Sequence, residues 1–279
     1  MKSEDRGHQG KGGGPVYFFS AKAGPVSGSL PGRRLALFLD FDGTLVPIQK
    51  DPAKCVLSRQ MKEQLRSLAD SDRHLVTILS GRTLSDIKAR VGIRNICYGG
   101  NHGLAISGKD MRFIHSGASA IIPIINKLGR SLEKEIACFD GAWVERKKFS
   151  LSLHYRSVGN REIPGLKRTF FRVVKGFPYN EKLTIVKGKK VLELMPDISW
   201  DKGRAALWIL NKLRGRYLPI FVGDDITDEA AFRALKNSGV TIRIGKSKRT
   251  LASYYLKGHR EASRFLNSMQ DYFPNEVRT

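Results

Sequence analysis

The 279-residue chain predicts an α/β fold, a parallel sheet core flanked by helices with a small α+β cap inserted in it. Three observations predict it. Short apolar runs at 35–39, 75–79 and 219–222 end abruptly in polar loops, as strands buried on both faces do. Segments of helical period lie between them, and alternating strand and helix argues for a parallel sheet. From about residue 104 to 190 the order becomes helix, strand, helix and hairpin, which suits a lid over the carboxyl ends of a parallel sheet.

Residues 1–32, rich in Gly, Ser and Lys, read as a mobile tail carrying the aromatic patch Tyr17, Phe18 and Phe19. The strand at 35–39 then runs into Asp40. Residues 58–69 place Met61, Leu65 and Leu68 at helical spacing behind Ser58, a suitable cap. The strand at 75–79 delivers Ser80, Ile87 and Val91 lie on the next helix, and 95–98 is a further strand. The core is expected over 33–104 and 191–279, and the cap over 105–190. Within the cap the pattern predicts a helix at 121–136, a period-two strand inside 142–155 and a helix at 161–174. A hairpin follows, from 183–186 to 190–194 with its turn at 187–189. A helix at 205–213 returns to the core, the strand at 219–222 reaches Asp224, and a helix at 227–235 begins in the acidic loop. A last strand at 241–244 and a helical region at 249–265 close the chain.

Four separated segments carry the chemistry: Asp40-Phe41-Asp42-Gly43-Thr44, Ser80-Gly81-Arg82, Asp201-Lys202-Gly203 and Gly223-Asp224-Asp225-Ile226-Thr227-Asp228-Glu229. Singly, each has a plain structural account: a solvated turn, a helix capped by Asp201, an exposed loop. Together they crowd carboxylates at strand ends, where they repel unless a cation lies between them. A divalent metal beside paired carboxylates suits phosphoryl transfer. In that chemistry Asp40 is the nucleophile and forms an aspartyl-phosphate. Asp42 is general acid, then general base. Ser80 offers its hydroxyl to a phosphoryl oxygen, and Lys202 offsets negative charge at Asp40. Mg2+ is the expected cation, held by the Asp40 carboxylate, the Asp42 carbonyl and the Asp224 carboxylate. Asp225 joins the expected metal loop, and Asp228 stands behind it or joins it.

The four segments resemble, in order, the motifs of the haloacid dehalogenase superfamily of phosphotransferases. More narrowly, the chain resembles the trehalose-6-phosphate phosphatase family over roughly residues 35–256. The narrower likeness lies in Gly100-Asn101-His102-Gly103-Leu104, in Glu145-Arg146-Lys147 with His154-Tyr155-Arg156 downstream, and in Val191-Leu192-Glu193-Leu194-Met195-Pro196. The resemblance implies a Rossmannoid core with its cap and Mg2+-dependent hydrolysis of trehalose 6-phosphate through an aspartyl-phosphate. It also implies that Glu145, Lys147 and Glu193 contact sugar hydroxyls, with Arg82, Asn101, His102 and Arg156 completing the substrate set. For His102 and His154 a structural hydrogen-bonding role is the alternative. The family commonly carries a cation where this chain has Met195, which keeps sucrose phosphate and glucosyl-phosphoglycerate as alternative substrates. A catalytically silent sugar-phosphate-binding regulatory domain and a phosphomutase are the further alternatives.

A hydrophobic content of 41% supports a packed interior. Lys and Arg outnumber Asp and Glu by 49 to 26, a net +23. Such an excess raises nucleic acid as a partner. The basic residues are scattered, however, and no helix-turn-helix, zinc-finger or RNA-binding sheet signature accompanies them, so no specific nucleic acid is expected. The expected partners are a small-molecule sugar phosphate and a separate trehalose-6-phosphate synthase, and the chain is expected to be a monomer. Cys55, Cys97 and Cys138 form no metal-ligand spacing and read as buried thiols of a reducing compartment. No run approaches the roughly 18–20 apolar residues of a membrane span. The Val16–Phe19 patch is too short for a signal peptide, so the expected address is the cytoplasm.

Overall fold

Apolar strands and side-chain-capped helices set the architecture of the computed structural model, which describes residues 14–23, 33–49 and 51–271. The chain runs through β1 (Val16–Tyr17), β2 (Arg34–Leu39), α1 (Arg59–Ala69), β3 (His74–Leu79), α2 (Leu84–Val91) and β4 (Cys97–Gly100). It continues through β5 (Ala105–Ser107), β6 (Arg112–Ile114), α3 (Ile122–Ile136), β7 (Trp143–Arg146), β8 (Leu151–His154) and α4 (Ile163–Lys175). The last part holds β9 (Leu183–Gly188), β10 (Val191–Pro196), α5 (Lys202–Lys212), β11 (Tyr217–Gly223), α6 (Glu229–Leu235), β12 (Val240–Ile244), β13 (Tyr254–Leu256) and α7 (Arg260–Asp271). Local chemistry fixes the helix starts. Ser58, Thr83 and Asp201 each accept a backbone N–H of the first turn, from Met61, Asp86 and Arg204.

Two sheets result. The larger has nine strands in the order β1-β13-β12-β11-β2-β3-β4-β5-β6, parallel as far as β4 and antiparallel beyond it. β2 lies between β11 and β3, and alternation sends its side chains into two apolar layers. Leu35, Leu37 and Leu39 pack with Met61, Leu65, Ile87 and Phe265, whereas Ala36 and Phe38 pack with Ile209, Phe221 and Phe232. Each such fully buried Leu or Phe stabilises the fold by about 1.5–3 kcal/mol relative to an exposed one. The smaller sheet is antiparallel, in the order β7-β8-β10-β9. Its Leu151, Leu153, Leu192 and Leu194 pack under α3 and α4 with Leu128, Leu132, Leu166 and Phe170. Period two therefore turns Ser152, His154 and Glu193 to the opposite face, toward the core domain.

Several expectations change. The tail expected to be mobile over 1–32 is ordered in part: Val16 and Tyr17 pair with Tyr254 and Tyr255, and Phe18 is buried against Phe265. Residues 1–13 and 24–32 of that expected tail lie outside the described residues. The region expected to be helical at 249–265 contains β13, because Tyr254–Leu256 pairs between β12 and β1. The expected domain limits also move, since β5 and β6 extend the core sheet while β10 belongs to the cap sheet. The expected strand at 95–98 begins two residues later, at Cys97. The hairpin turns at Lys189 and Lys190, with Lys190 at φ 65°. Cys55 and Cys97 are buried, but Cys138 is exposed. Among the described residues no helix is long and apolar enough to cross a membrane.

Candidate active site

Parallel strands deliver their acidic loops to one edge of the sheet, beside the central strand where the chain order reverses. β2 leads into Asp40, β3 into Ser80 and β11 into Asp224. The Asp40 amide donates to Val222 O at 2.9 Å and the Ser80 amide to Gly99 O at 2.9 Å, so ladder bonds hold both residues. Gly43 sits at φ +92°, and a Cβ there would run into the Asp224 carboxylate, which explains a glycine at this step.

Lys202, on the first turn of α5, is 2% exposed and bonds both Asp40 Oδ1 and Asp228 Oδ1 at 2.7 Å. Asp228 Oδ2 accepts the amides of Asp224 and Asp225 at 3.0 and 2.9 Å. Both of its oxygens thus accept hydrogen bonds that hold Lys202 and shape the loop. Asp40, Asp224 and Asp228 each bring an oxygen within 4.8 Å of the others. Burial pushes the Asp40 carboxyl up; Lys202 opposes the shift, and Asp228 and Asp224 add to it. Burial likewise pushes Asp224 up, against the pull of Lys189. Burial would lower the Lys202 ammonium, but Asp228 and Asp40 raise it on balance. Asp224 Oδ1 is buried without a hydrogen-bond partner among the described residues. An orphan carboxylate oxygen beside the Asp40 carboxylate fits a hard divalent cation. The Asp42 and Asp225 carboxylates lie outside this group of three; the Asp42 carbonyl and Asp225 remain expectations as metal ligands.

Arg82, expected to bind substrate, lines the cavity. Its Nε and Nη2 grip both Asp42 oxygens at 2.7 Å, Nη1 donates to Asp86 and Nη2 also to Pro52 O. The guanidinium is spent on positioning Asp42 in this conformation. Ser80 is fully buried and accepts the Arg82 amide at 3.1 Å. Asn101, expected to bind substrate, is 1% exposed and does not line the cavity. His102 does line it, and its Nε2 lies 3.1 Å from Glu193 Oε2.

The cap sheet roofs a cavity of about 230 Å³ above this floor. Glu193 receives Lys147 Nζ at 2.9 Å and Ser150 Oγ at 2.8 Å. Lys147 also reaches the core, donating to Gly81 O at 3.2 Å. Glu145 bonds His154 Nε2 at 2.8 Å, and His154 stacks on Trp143. Arg156 lines the cavity but gives Nη2 to Lys189 O. Lys189 Nζ in turn lies 2.6 Å from Asp224 Oδ2, a cation laid by the cap on the acidic edge of the core. Trp143, Ser150, Ser152 and Lys189 were missing from the expected site. For Ser152 the signal was present, since Leu151 and Leu153 facing the cap interior turn the residue between them to the cavity.

Burial pushes the Glu193 carboxyl up, yet Lys147 and His102 outweigh it and hold the group well below the usual carboxylate range. A depressed carboxylate adds stability above its unfolded value, near 4.3, and loses it as pH falls toward the folded value. The stability gap between wild type and Glu193→Gln is therefore expected to be widest at neutral pH. Urea unfolding at pH 7 and pH 3 checks this, and a gap that widens in acid contradicts it.

The fold is that of haloacid dehalogenase-like hydrolases. A haloacid dehalogenase-like hydrolase from Bacteroides thetaiotaomicron shares the fold, with a TM-score of 0.59 at 15% identity over 86% of this chain and 100% of that one. The trehalose-phosphatase family profile matches residues 38–260, and the chain belongs to that family. Trehalose 6-phosphate phosphatase RA3 of Zea mays is 36% identical over 266 residues, 88% of this chain and 72% of its own. The C-terminal domain of the C. albicans trehalose-6-phosphate phosphatase has the same fold, with a TM-score of 0.76 at 21% identity over 94% of this chain and 99% of that one.

Proposed function

We propose that this chain hydrolyses trehalose 6-phosphate to trehalose and phosphate with Mg2+ as its cation. The observation that carries this reading is the polar cap face, Glu145, Lys147 and Glu193, set over Asp40 across one cavity. In the first step Asp40 attacks phosphorus, the bond from phosphorus to the sugar oxygen breaks, and protonated Asp42 gives its proton to that oxygen. In the second, water attacks phosphorus, Asp42 takes the water proton, and phosphate leaves with Asp40 regenerated. Lys202 opposes protonation of Asp40 within a buried carboxylate cluster, and Ser80 steadies a phosphoryl oxygen. Mg2+ bound by Asp40 and Asp224 would supply charge that lets carboxylates and phosphoryl oxygens approach. Asp42 leaves Arg82 to reach the sugar oxygen, which frees guanidinium donors for the phosphoryl group. We place the activity in the cytoplasm, in a monomer supplied by a separate synthase.

Met195 is buried and does not line the cavity, so its departure from the family pattern argues little for another sugar. The test is phosphate release from trehalose 6-phosphate, sucrose 6-phosphate and glucosyl-phosphoglycerate, each with Mg2+ and with chelator. Metal-dependent preference for trehalose 6-phosphate is expected. Preference for another member replaces the substrate, and no release from any favours a silent binding domain.

Lys147→Ala is expected to lower kcat/KM for trehalose 6-phosphate relative to that for 4-nitrophenyl phosphate by at least roughly ten-fold, because it removes a charge-assisted bond to the sugar. Parallel losses on both substrates would make Lys147 structural.

A further inference from the structure

We propose that Trp143 and Ser152 form a second sugar subsite, stacking on and hydrogen-bonding the pyranose ring that carries no phosphate. The inference rests on a disaccharide phosphate as substrate and assigns the part of the cavity that the phosphate-side residues leave unused.

Trp143 lies on β7, the edge strand of the cap sheet, and pairs directly with His154. The two rings are stacked at a centroid distance of 4.1 Å and an interplanar angle of 7°. His154 is itself held by Glu145 at 2.8 Å, so the indole is locked from one side. Trp143 nevertheless remains 44% exposed and lines the same cavity as Asp40. A rigid aromatic with one face covered and the rest open to a sugar-sized cavity is a platform for the C–H face of a pyranose.

Ser152 supplies the second, independent observation. It stands opposite both Glu145 and Glu193 in the cap sheet, is 1% exposed, lines the cavity, and its Oγ has no hydrogen-bond partner among the described residues. Its neighbour Ser150 is already spent on Glu193. A buried hydroxyl without a partner is costly unless a ligand completes it, and a sugar hydroxyl can do so as donor or acceptor.

Position separates this subsite from the phosphate end. Lys147 touches Gly81, beside Ser80 and Arg82. Trp143 lies four residues back along the extended chain, about 13 Å at the rise of a strand. A ring held by Lys147 and Glu193 therefore leaves Trp143 for the ring beyond it.

The test measures kcat and KM of wild type, Trp143→Ala, Trp143→Phe and Ser152→Ala on trehalose 6-phosphate and 4-nitrophenyl phosphate. Trp143→Ala is expected to lower the ratio of kcat/KM on the two substrates about ten-fold, through KM, with Trp143→Phe recovering most of it. Ser152→Ala is expected to lower it roughly five-fold. Binding is read separately by tryptophan fluorescence in an Asp40→Asn background titrated with trehalose 6-phosphate. The change is expected to vanish when Trp143→Phe is added, because Trp200 and Trp208 pack against Phe113 and do not line the cavity. An unchanged ratio in Trp143→Ala, or a fluorescence change that survives Trp143→Phe, overturns the subsite while leaving the phosphatase reading intact. Failure of the wild type to act on trehalose 6-phosphate overturns both.

Discussion

Asp40→Asn is expected to reduce phosphate release by roughly 10⁴-fold or more, as loss of a nucleophile does. The fold should survive. The amide keeps the volume and a carbonyl oxygen for Lys202, and Lys202 retains its bond to Asp228. The substitution also removes one of three carboxylates that crowd within 4.8 Å, so the metal-free protein loses little by it. The measurement is phosphate release from trehalose 6-phosphate in Mg2+, with thermal unfolding in chelator as the control for folding. Turnover within ten-fold of wild type would remove Asp40 from the nucleophile's place. A folded but inactive variant that still binds the sugar phosphate would supply the ground-state complex for the fluorescence titration.

Lys202→Met is expected to have the largest effect on stability. It leaves Asp40 and Asp228, at 5% and 0% exposure, without their shared cation. Breaking a buried pair in this way costs about 3–5 kcal/mol, because the surviving charges are stranded. For a chain of this size that corresponds to roughly 10 °C in Tm. Turnover should fall by at least about 10²–10³ as well, through loss of electrostatic stabilisation at Asp40. Urea unfolding in chelator checks the first effect. Should the variant fail to fold, Lys202→Met with Asp228→Asn removes one stranded charge and is expected to restore part of the stability. A single variant as stable as wild type would mean that the ion pairs are absent in solution.

The core was the more legible half of the molecule. Strands buried on both faces leave unbroken apolar runs, and β2, β3 and β11 were readable as such, each ending in a motif residue. Caps were legible at Ser58 and Asp201 because the bond they make is local. Edges were not. Val16–Tyr17 and Tyr254–Leu256 become strands only by pairing with each other and with β12, partners more than two hundred residues apart for the outer pair. The cap limits were misplaced for the same reason. Residues 191–196 read equally well as a return to the core, and only their pairing with β8 and β9 assigns them to the cap.

The division holds at the site. By itself the sequence located the candidate groups: Asp40, Asp42, Ser80, Lys202 and Asp224 are at or just beyond strand ends or at helix starts, where short-range rules place them. Only the tertiary structure decided how those groups are used. It turns Arg82 onto Asp42, commits both Asp228 oxygens, buries Asn101 away from the cavity and brings Lys189 to Asp224. It also lays Trp143 on His154 and leaves the buried Ser152 hydroxyl, in the cavity lining, without a partner among the described residues. The bond from Lys189 to Asp224, 35 residues apart, depends on how two sheets face each other. Local periodicity carries no information about that relation, because it records which face a side chain takes and not what lies opposite it.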